Sequence, residues 1–443
     1  MEELLKALLD LYNYAVPIHD KAFYIALFFI LGIAGAGIGW NVWIILIAAF
    51  LLSKVFFSLD IKTSSILLFT TFIGVFYLNF FDVTHKAIVS FGADDEYIGL
   101  VGSKPSEGIE STSLEVSLYE PHRGTVYVYT EPDREYRYGD VVFLRGEVKK
   151  SQSGSMNFIS FPDIEIIERD QGSRLRSILF TLKDSLISNI EKVLPADKSA
   201  LMAGVLLGER AEFTDEFEEA MRNSGTTHIV ALSGYNVAIL AVLINALFSR
   251  LWGKRKSFYL SMLIIPAFVI MTGAEPSVVR AGIMGMILLL AEHQGRAYSF
   301  RNAIALTAFA MLLFDPRALT DDVGFQLSFA ALLGLVYIQP WLTKRLKVLD
   351  DGFLAWKKNA LQTTSAQIAV LPIIMTTFGF FSPTALISNV LILEVIPITM
   401  LLGFMTSILG FVSFHLSLVV GWLANVFLSY EVLVINLFGF SWL

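Results

Sequence analysis

The segment from Gly225 to Asn236 reads GTTHIVALSGYN and opens an apolar stretch of the chain. A plain membrane anchor would consist of leucine, isoleucine, valine and phenylalanine, whereas these twelve residues include a histidine, three Ser or Thr hydroxyls, two glycines and an asparagine. At membrane depth, irregular backbone is tolerated only inside protein or beside a water-filled cavity. The segment therefore predicts a helix that is broken at Ser233 and Gly234 beside a polar path.

The composition of the whole chain is that of a polytopic membrane protein. Of 443 residues, 55% are apolar and 16% are charged, and the mean hydropathy is +0.63. Soluble domains usually contain about 25% charged residues. Cysteine is absent, which excludes disulfides and thiolate metal sites, and the six histidines are scattered. No metal site and no cofactor are predicted.

Apolar windows of about 20 residues mark candidate membrane spans. The pattern predicts an α-helical membrane protein with about 11 spans, three of them before an inserted soluble segment. The predicted spans lie near residues 22–40, 41–59, 64–81, 226–249, 258–273, 277–293, 300–314, 323–341, 360–378, 383–410 and 414–440.

The inserted segment has short alternating runs with turn signals between them, which predicts a small all-β domain. A barrel and a sandwich fit this pattern equally well. After it, Arg174 to Leu194 forms an amphipathic pattern, which predicts a helix on the membrane surface or against the bundle. The predicted domains are an N-terminal three-span region at 1–82, the β-domain at 83–170, the amphipathic helix and connector at 171–222, and a channel region of about eight spans at 223–443.

The distribution of basic residues predicts the orientation of these spans. With the N-terminus in the cytoplasm, the predicted inner segments contain fifteen basic residues, and the short outer loops contain one, Arg317. Short loops that carry Lys and Arg remain on the cytoplasmic side. The β-domain is therefore expected outside the cytoplasmic (inner) membrane.

Ionisable residues at membrane depth usually face a cavity or a partner. Arg280, in SVVRAGIMGM, either snorkels outward or points inward to receive an anion. His228 and Ser233 raise the possibility of an intramembrane hydrolase, but five residues of helix place them roughly 140° apart. For DDVGFQLSF, the simpler interpretation is a helix start capped by Asp321 or Asp322, and the alternative is a polar lining.

Taken in order, VLLGERAEFTDEFEEAMRNSGTTHIVALSGYNVAIL, SVVRAGIMGM, FDPRALTDDVGFQLSFAALLGL and VLPIIMTTFGFFS resemble the ComEC family of competence proteins over residues 200–390. Members form the inner-membrane channel that carries single-stranded DNA into the cytoplasm during natural transformation. The resemblance also implies an OB-fold for residues 95–168. Many relatives have SGLH where this chain has SGYN. Many also continue into a metallo-β-lactamase-like domain, which is not part of this sequence, so any nuclease activity is expected from a separate protein or from sequence beyond these 443 residues.

The charge of the β-domain argues against simple DNA binding. Residues 83–170 contain 9 Lys and Arg against 16 Asp and Glu, whereas single-strand binders usually offer a basic groove with stacking aromatics. The alternative is a scaffold that shapes the channel entrance or holds a partner. The candidate DNA contacts of this domain are Arg123, Arg134, Arg137 and Arg145.

The resulting hypothesis is a channel for single-stranded DNA with no enzymatic activity and no catalytic residue. A transporter of another anionic polymer or of a lipid-linked substrate is the alternative. No P-loop occurs, so the expected partners beside DNA and the lipid bilayer are a cytoplasmic ATPase or helicase, an extracytoplasmic DNA receptor, a nuclease and a second copy of the chain. The predicted path residues are His228, Ser233, Gly234, Tyr235, Asn236, Arg280 and Gln326.

Overall fold

A computed structural model describes most of the chain, and its internal contacts separate two compact units. The first unit comprises Met1–Lys86 and Ile283–Gln326, and the second comprises Ala87–Gly282 and Leu327–Leu443. The described residues are 18–92, 94–107, 111–132, 135–150, 157–209, 213–230, 232, 234, 236, 237, 239, 248–346, 356–379 and 382–439.

Helices make up most of the described structure. They are α1 (Ile18–Gly37), α2 (Val42–Leu51), α3 (Ile61–Thr84), α4 (Arg174–Glu191), α5 (Ala196–Leu207), α6 (Asp215–Ser224), α7 (Thr227–Val230), α8 (Lys254–Met271), α9 (Pro276–His293), α10 (Phe300–Phe314), α11 (Ala318–Asp321), α12 (Val323–Leu333), α13 (Gln339–Leu346), α14 (Trp356–Thr377), α15 (Ala385–Leu393), α16 (Ile396–Gly410) and α17 (Phe414–Gly439). Short π-helical turns over Leu52–Phe56 and Gly334–Ile338 continue α2 and α12.

In the first unit, α1 and α3 pack with their backbones in close contact. A Cβ added at Gly32 of α1 would collide with the carbonyl oxygen of Thr71, and one at Gly74 of α3 would collide with the carbonyl oxygen of Phe29. Small residues allow such approach where helices associate by van der Waals packing within a membrane. This pair, with α10 packed on α1, forms the core of the unit.

A bidentate ion pair connects the loop before α11 to the end of α3. Arg317, the only basic residue predicted in the short outer loops, donates to both carboxylate oxygens of Asp82 at 2.8 and 2.6 Å. A bidentate arginine–carboxylate pair restricts the geometry of both partners. The cation expected at an outer loop therefore has a structural partner within its own unit.

The second unit begins with a β-sheet. Its strand order is β6-β7-β4-β3-β1-β5-β8, with β2 paired on β3, and β4 and β7 form a parallel pair. Inward residues such as Tyr97, Val126 and Leu144 are fully buried in its core. The strands are β1 (Asp94–Val101), β2 (Ser106–Glu107), β3 (Thr112–Leu118), β4 (Gly124–Thr130), β5 (Val141–Glu147), β6 (Lys149–Lys150), β7 (Asn157–Ser160) and β8 (Asp163–Glu168).

This sheet confirms the predicted separate β-domain, but one of its interior strands was missed. Strand β1 reads DDEYIGLV and pairs with both β3 and β5. Its three leading acids and its glycine weaken the strand signal, because these residue types are depleted in strands. Pairing on both sides compensates for that weak local preference.

The predicted amphipathic helix is confirmed as α4, and it packs on α5, α8 and α16. Leu186 and Ile190, in its C-terminal half, are buried, whereas Leu175 and Ile178, near its N-terminus, are exposed. The C-terminal half of the apolar face therefore packs against the bundle.

The predicted count of about 11 spans is not confirmed. In the described part of the chain, five helices are long and apolar enough to cross a membrane, namely those containing Asp20–Gly37, Ile61–Thr84, Pro276–His293, Val323–Leu346 and Phe414–Gly439. The pair α15 and α16, bent by 50°, raises this number to six. Helices α2 and α10 are shorter, α8 begins with three basic residues, and α14 contains the polar run QTTSAQ. Half of the residues of the span predicted at 226–249 lie outside the described residues.

Candidate channel site around Arg280

The quoted segment begins with a turn that ends α6. Gly225 has a φ of +68°, which favours glycine, and a Cβ there would collide with Ala385 of α15. Thr226 is fully buried, and its hydroxyl bonds to Ser224 Oγ at 2.7 Å. The first glycine and threonine of the motif therefore position the chain against α15.

Three separate parts of the sequence meet at the guanidinium of Arg280 on α9. Its Nη1 donates to the carbonyl oxygen of Ser328 on α12 at 2.6 Å, and its Cζ lies 6.0 Å from the Phe329 ring centroid. A Cβ added at Gly234 would stand 2.5 Å from Nη2. Ser277 Oγ, also on α9, donates to the carbonyl oxygen of Leu232 at 2.6 Å. The motifs SGYN, SVVRA and GFQLSF thus converge on one cation.

The described residues use only part of the hydrogen-bonding capacity of Arg280. Its Nε atom is buried and has no partner among the described residues, and no carboxylate of the described chain forms an ion pair with it. A guanidinium has five N–H donors in a planar fork that matches carboxylate and phosphate oxygens. The donors of Arg280 are thus of the type that binds anions, and a residue without a Cβ at position 234 allows the close approach of Nη2.

The other residues of the quoted motif lie in different environments. Asn236 is 3% exposed and donates from Nδ2 to the carbonyl oxygen of Val205 on α5 at 3.0 Å. His228 is exposed on α7. Ser233 and Tyr235 lie outside the described residues. The role of these four residues as a path lining stays a prediction.

Gln326, in the first unit, fixes the corner between α11 and α12. Its side-chain amide donates to the carbonyl oxygens of Leu319 and Thr320 at 3.1 and 2.8 Å. Asp322 caps α12 by accepting from the backbone N–H of Phe325 at 3.0 Å, as the sequence predicted. The amide donors of Gln326 are used within the turn, and its role in a path stays a prediction.

An ion-pair cluster that was not predicted joins the β-domain to the helices. Lys104, between β1 and β2, contacts Asp184 on α4 at 2.6 Å and Glu209 at 2.8 Å. Glu209, which follows the Gly208 cap of α5, also contacts Lys183 at 2.6 Å. The available signal was Lys183 itself, because it lies among leucines on the buried face of α4. A cation on an apolar face predicts a partner.

The electrostatics of this cluster reflect mutual pairing. Burial alone would raise the pKa of Glu209, but the ammonium groups of Lys183 and Lys104 outweigh it and hold that pKa below the ordinary value. Burial alone would lower the pKa of Lys104, but Glu209 and Asp184 outweigh it and raise that pKa. Both groups are therefore charged over a wide pH range.

Three candidate DNA contacts of the β-domain are described, all three are exposed, and two of them are paired with carboxylates. Arg137 contacts Glu135 at 3.0 Å, and Arg145 lies 3.5 Å from Asp94. Arg123 is exposed beside the bridge to Ile88. Arg134 lies outside the described residues. Within the described ranges, no group of three or more His, Asp or Glu side chains is placed to hold a metal ion.

The fold and the site define a membrane protein of many helices with a separate β-domain. Its helical region contains a buried cation, Arg280, where three distant segments of the sequence meet. The family model described as "Competence protein" matches residues 205–441, which is more than half of the chain. The chain belongs to this family. The matched region includes Arg280, Gly234 and Ser328, and the β-domain lies before it.

Curated relatives match over similar lengths. ComE operon protein 3 of Bacillus subtilis is 29% identical over 232 residues, which cover 52% of this chain and 29% of that protein. The uncharacterized protein YcaI of Escherichia coli is 24% identical over 225 residues, covering 49% and 30%. An uncharacterized protein of Aquifex aeolicus is 25% identical over 208 residues, covering 46% and 47%. The matches thus span less than half of each relative. No solved structure matches the chain.

Proposed function

We propose that this protein is a channel through which single-stranded DNA crosses the cytoplasmic membrane during natural transformation. Membership of the competence family and the name of the Bacillus subtilis relative support a role in DNA uptake. The observation that carries the proposal is the convergence of Gly234, Arg280 and Ser328 within the family region.

Arg280 would compensate phosphate charge as the strand passes. Its Nε lacks a partner among the described residues, and its Nη1 bonds to one backbone carbonyl. Its described neighbours are a backbone carbonyl and an aromatic ring, and neither supplies a negative charge for the guanidinium. A phosphate would therefore gain a charge-assisted hydrogen bond there. A single cation among neutral groups also suits transport, because dense positive charge would hold a strand that must leave.

The full topology that we propose has about 11 spans, a cytoplasmic N-terminus and the β-domain outside. Beyond the six apolar candidates, the helices α2, α8, α10 and α14, together with residues 226–249, would complete that number. An OB-like barrel is proposed for the β-domain, since β1 pairs with both β3 and β5 and the sheet contains one parallel pair.

The β-domain would act as a scaffold at the channel entrance. Arg137 and Arg145 face neighbouring carboxylates, which reduces the positive potential that a DNA-binding face needs. The cluster of Lys104, Lys183 and Glu209 would hold this scaffold on the helices.

Transport would depend on other proteins and on assembly in the bilayer. Without a P-loop in the sequence, a separate cytoplasmic ATPase or helicase would pull the strand. A separate receptor and a separate nuclease would deliver and process DNA outside the membrane, and a homo-oligomer is a further option for the channel. The chain itself is proposed to have no enzymatic activity.

The test is uptake of dye-labelled single-stranded DNA into proteoliposomes, with nuclease outside and a single-strand-binding protein inside. We expect wild type to protect DNA and Arg280→Ala to protect about tenfold less, the loss of one good charge-assisted contact. Arg255→Ala, at an exposed position of α8, is the matched control and should behave like wild type.

Binding of single-stranded DNA should also weaken steeply with salt, since phosphate contacts release counterions. Equal protection by Arg280→Ala and wild type would remove Arg280 from the path. Absence of protection in the presence of an added motor, with protein that is folded, would contradict the DNA channel and favour the transporter of another anionic or lipid-linked substrate.

A further inference from the structure

A buried carboxyl group on α17 has only one partner. Glu431 is 1% exposed, and its Oε1 accepts a hydrogen bond from Thr399 Oγ1 on α16 at 2.6 Å. Its Oε2 is buried and has no partner among the described residues. An ionised carboxylate in a membrane bundle requires pairing or several donors. One hydroxyl leaves this requirement unmet.

A second unpartnered oxygen lies at the same level of the bundle. Thr384 and Leu391 of α15 bond to Phe438 and Tyr430 of α17, through contacts of 3.2 and 3.4 Å that set the register of the two antiparallel helices. In this register, Asn389 and Glu431 differ by about 2 Å along the helix axis at 1.5 Å per residue. Asn389 is 3% exposed, and its Oδ1 is buried without a partner among the described residues.

The elements packed against α17 offer Glu431 no counter-charge. Helices α15 and α16 contain no charged residue, and Glu394, which follows α15, contacts Asn359 of α14. On α5, the ammonium group of Lys198 donates to Ser429 at 2.8 Å. The remaining titratable groups on α5, α6 and α17 are Asp197, Asp215, Glu216, Glu218, Glu219, Arg222, His415 and Tyr430, and none of them forms an ion pair with Glu431.

We infer that Glu431, Thr399 and Asn389 form a proton-binding site within the bundle. The carboxyl is neutral at neutral pH, its Oε2–H donates to Asn389 Oδ1, and its Oε1 accepts from Thr399. One proton taken from water thereby satisfies both unpartnered oxygens, because a neutral carboxyl supplies the donor that two acceptors at this level of the bundle lack.

The position of the site connects this proton to a bend in the bundle. Helices α15 and α16 meet at 50°, and Thr399 lies in the first turn of α16 after that break. Loss of the proton would place a negative charge opposite the Asn389 oxygen and convert an attraction into a repulsion. Protonation of Glu431 therefore favours the packing of α17 against the bent pair.

Infrared spectroscopy of the full chain in lipid tests the inference, and it uses no DNA, so its outcome is independent of the transport proposal. At neutral pH, wild type should show the carbonyl stretch of a neutral carboxylic acid, and Glu431→Gln should lack it. The amide of that variant mimics the neutral acid, so it should retain wild-type helicity by circular dichroism. Glu292→Gln, at an exposed position of α9, should leave the band unchanged.

Two further variants test the partners. Asn389→Ala and Thr399→Val should each keep the band but shift it to higher frequency, because a carboxyl with fewer hydrogen bonds has a stiffer carbonyl. If wild type and Glu431→Gln do not differ in the carbonyl band of neutral carboxylic acids from mildly acidic to neutral pH, Glu431 is ionised and the proton site is overturned. A band that neither partner variant shifts would also overturn it.

Discussion

Lys183 and Arg280 are both largely enclosed cations of the second unit, and their surroundings differ. Lys183 meets Glu209 at 2.6 Å, and Glu209 is shared with Lys104. Arg280 meets a backbone carbonyl at 2.6 Å and keeps a buried Nε without a described partner. The first cation is compensated within the protein and stabilises packing, whereas the second is the one that we propose meets phosphate. Burial alone does not distinguish these two cations. The groups that each cation contacts distinguish them.

Removing Glu209 should have the largest effect on stability. Glu209→Ala leaves the Lys183 ammonium buried without its partner, and the free energy of unfolding should fall by about 3 kcal/mol or more. Chemical denaturation in mild detergent, monitored by tryptophan fluorescence, measures this change in the free energy of unfolding. Glu191→Ala changes an exposed carboxylate at the end of α4 and serves as the control. Equal stability of the two variants would mean that the cluster does not hold the β-domain.

Lowering the pH should remove part of the stability that Glu209 contributes. Because the pKa of Glu209 is held below its ordinary 4.5, its stabilisation is complete above pH 4.5 and is lost as the pH falls through the lowered value. The raised pKa of Lys104 has the opposite sign, so its contribution is lost only above pH 10.5. The stability difference between wild type and Glu209→Gln should therefore shrink in acid, and a difference independent of acidity would contradict the pairing.

A methyl group beside Arg280 should separate function from stability. In Gly234→Ala the new Cβ would stand 2.5 Å from Nη2, at the flexible end of the side chain, so the guanidinium can move at a cost of about 1 kcal/mol. DNA protection in proteoliposomes should fall toward the level of Arg280→Ala while unfolding changes little. Gly102→Ala is the control, since its Cβ would lie 3.4 Å from Ser117 Oγ. Undiminished protection would show that the space beside Nη2 is not needed.

The smallest effect is expected at the surface of the β-domain. Arg145→Ala removes an exposed pair with Asp94, and such pairs contribute about 0.5 kcal/mol or less. Binding of single-stranded DNA, titrated by fluorescence anisotropy at low salt, should also change little if the domain is a scaffold. A large loss of binding would instead assign this face to DNA.

Local patterns predicted much of the secondary structure but less of the site. Thr214 caps α6 by accepting from the Phe217 N–H at 3.4 Å, and Asp322 caps α12, because capping needs only neighbouring residues. Strand β1 was missed because its sequence has a weak preference for strand, and its stability comes from pairing with β3 and β5. The span count could not be settled by apolar windows, since helices such as α8 and α14 mix apolar and polar residues.

The sequence by itself determined the membrane class through its apolar composition, the place of the β-domain in the chain through its alternating runs, and the family through motifs in a fixed order. Only the tertiary structure brought Gly234 and Ser328 to Arg280, and Thr399 to Glu431. Those contacts join residues far apart in the chain, so they depend on how helices pack rather than on any local preference. An enclosed cation can meet a carboxylate, as Lys183 does, or only a backbone carbonyl among the described residues, as Arg280 does, and that difference arises only where separate segments of the chain meet.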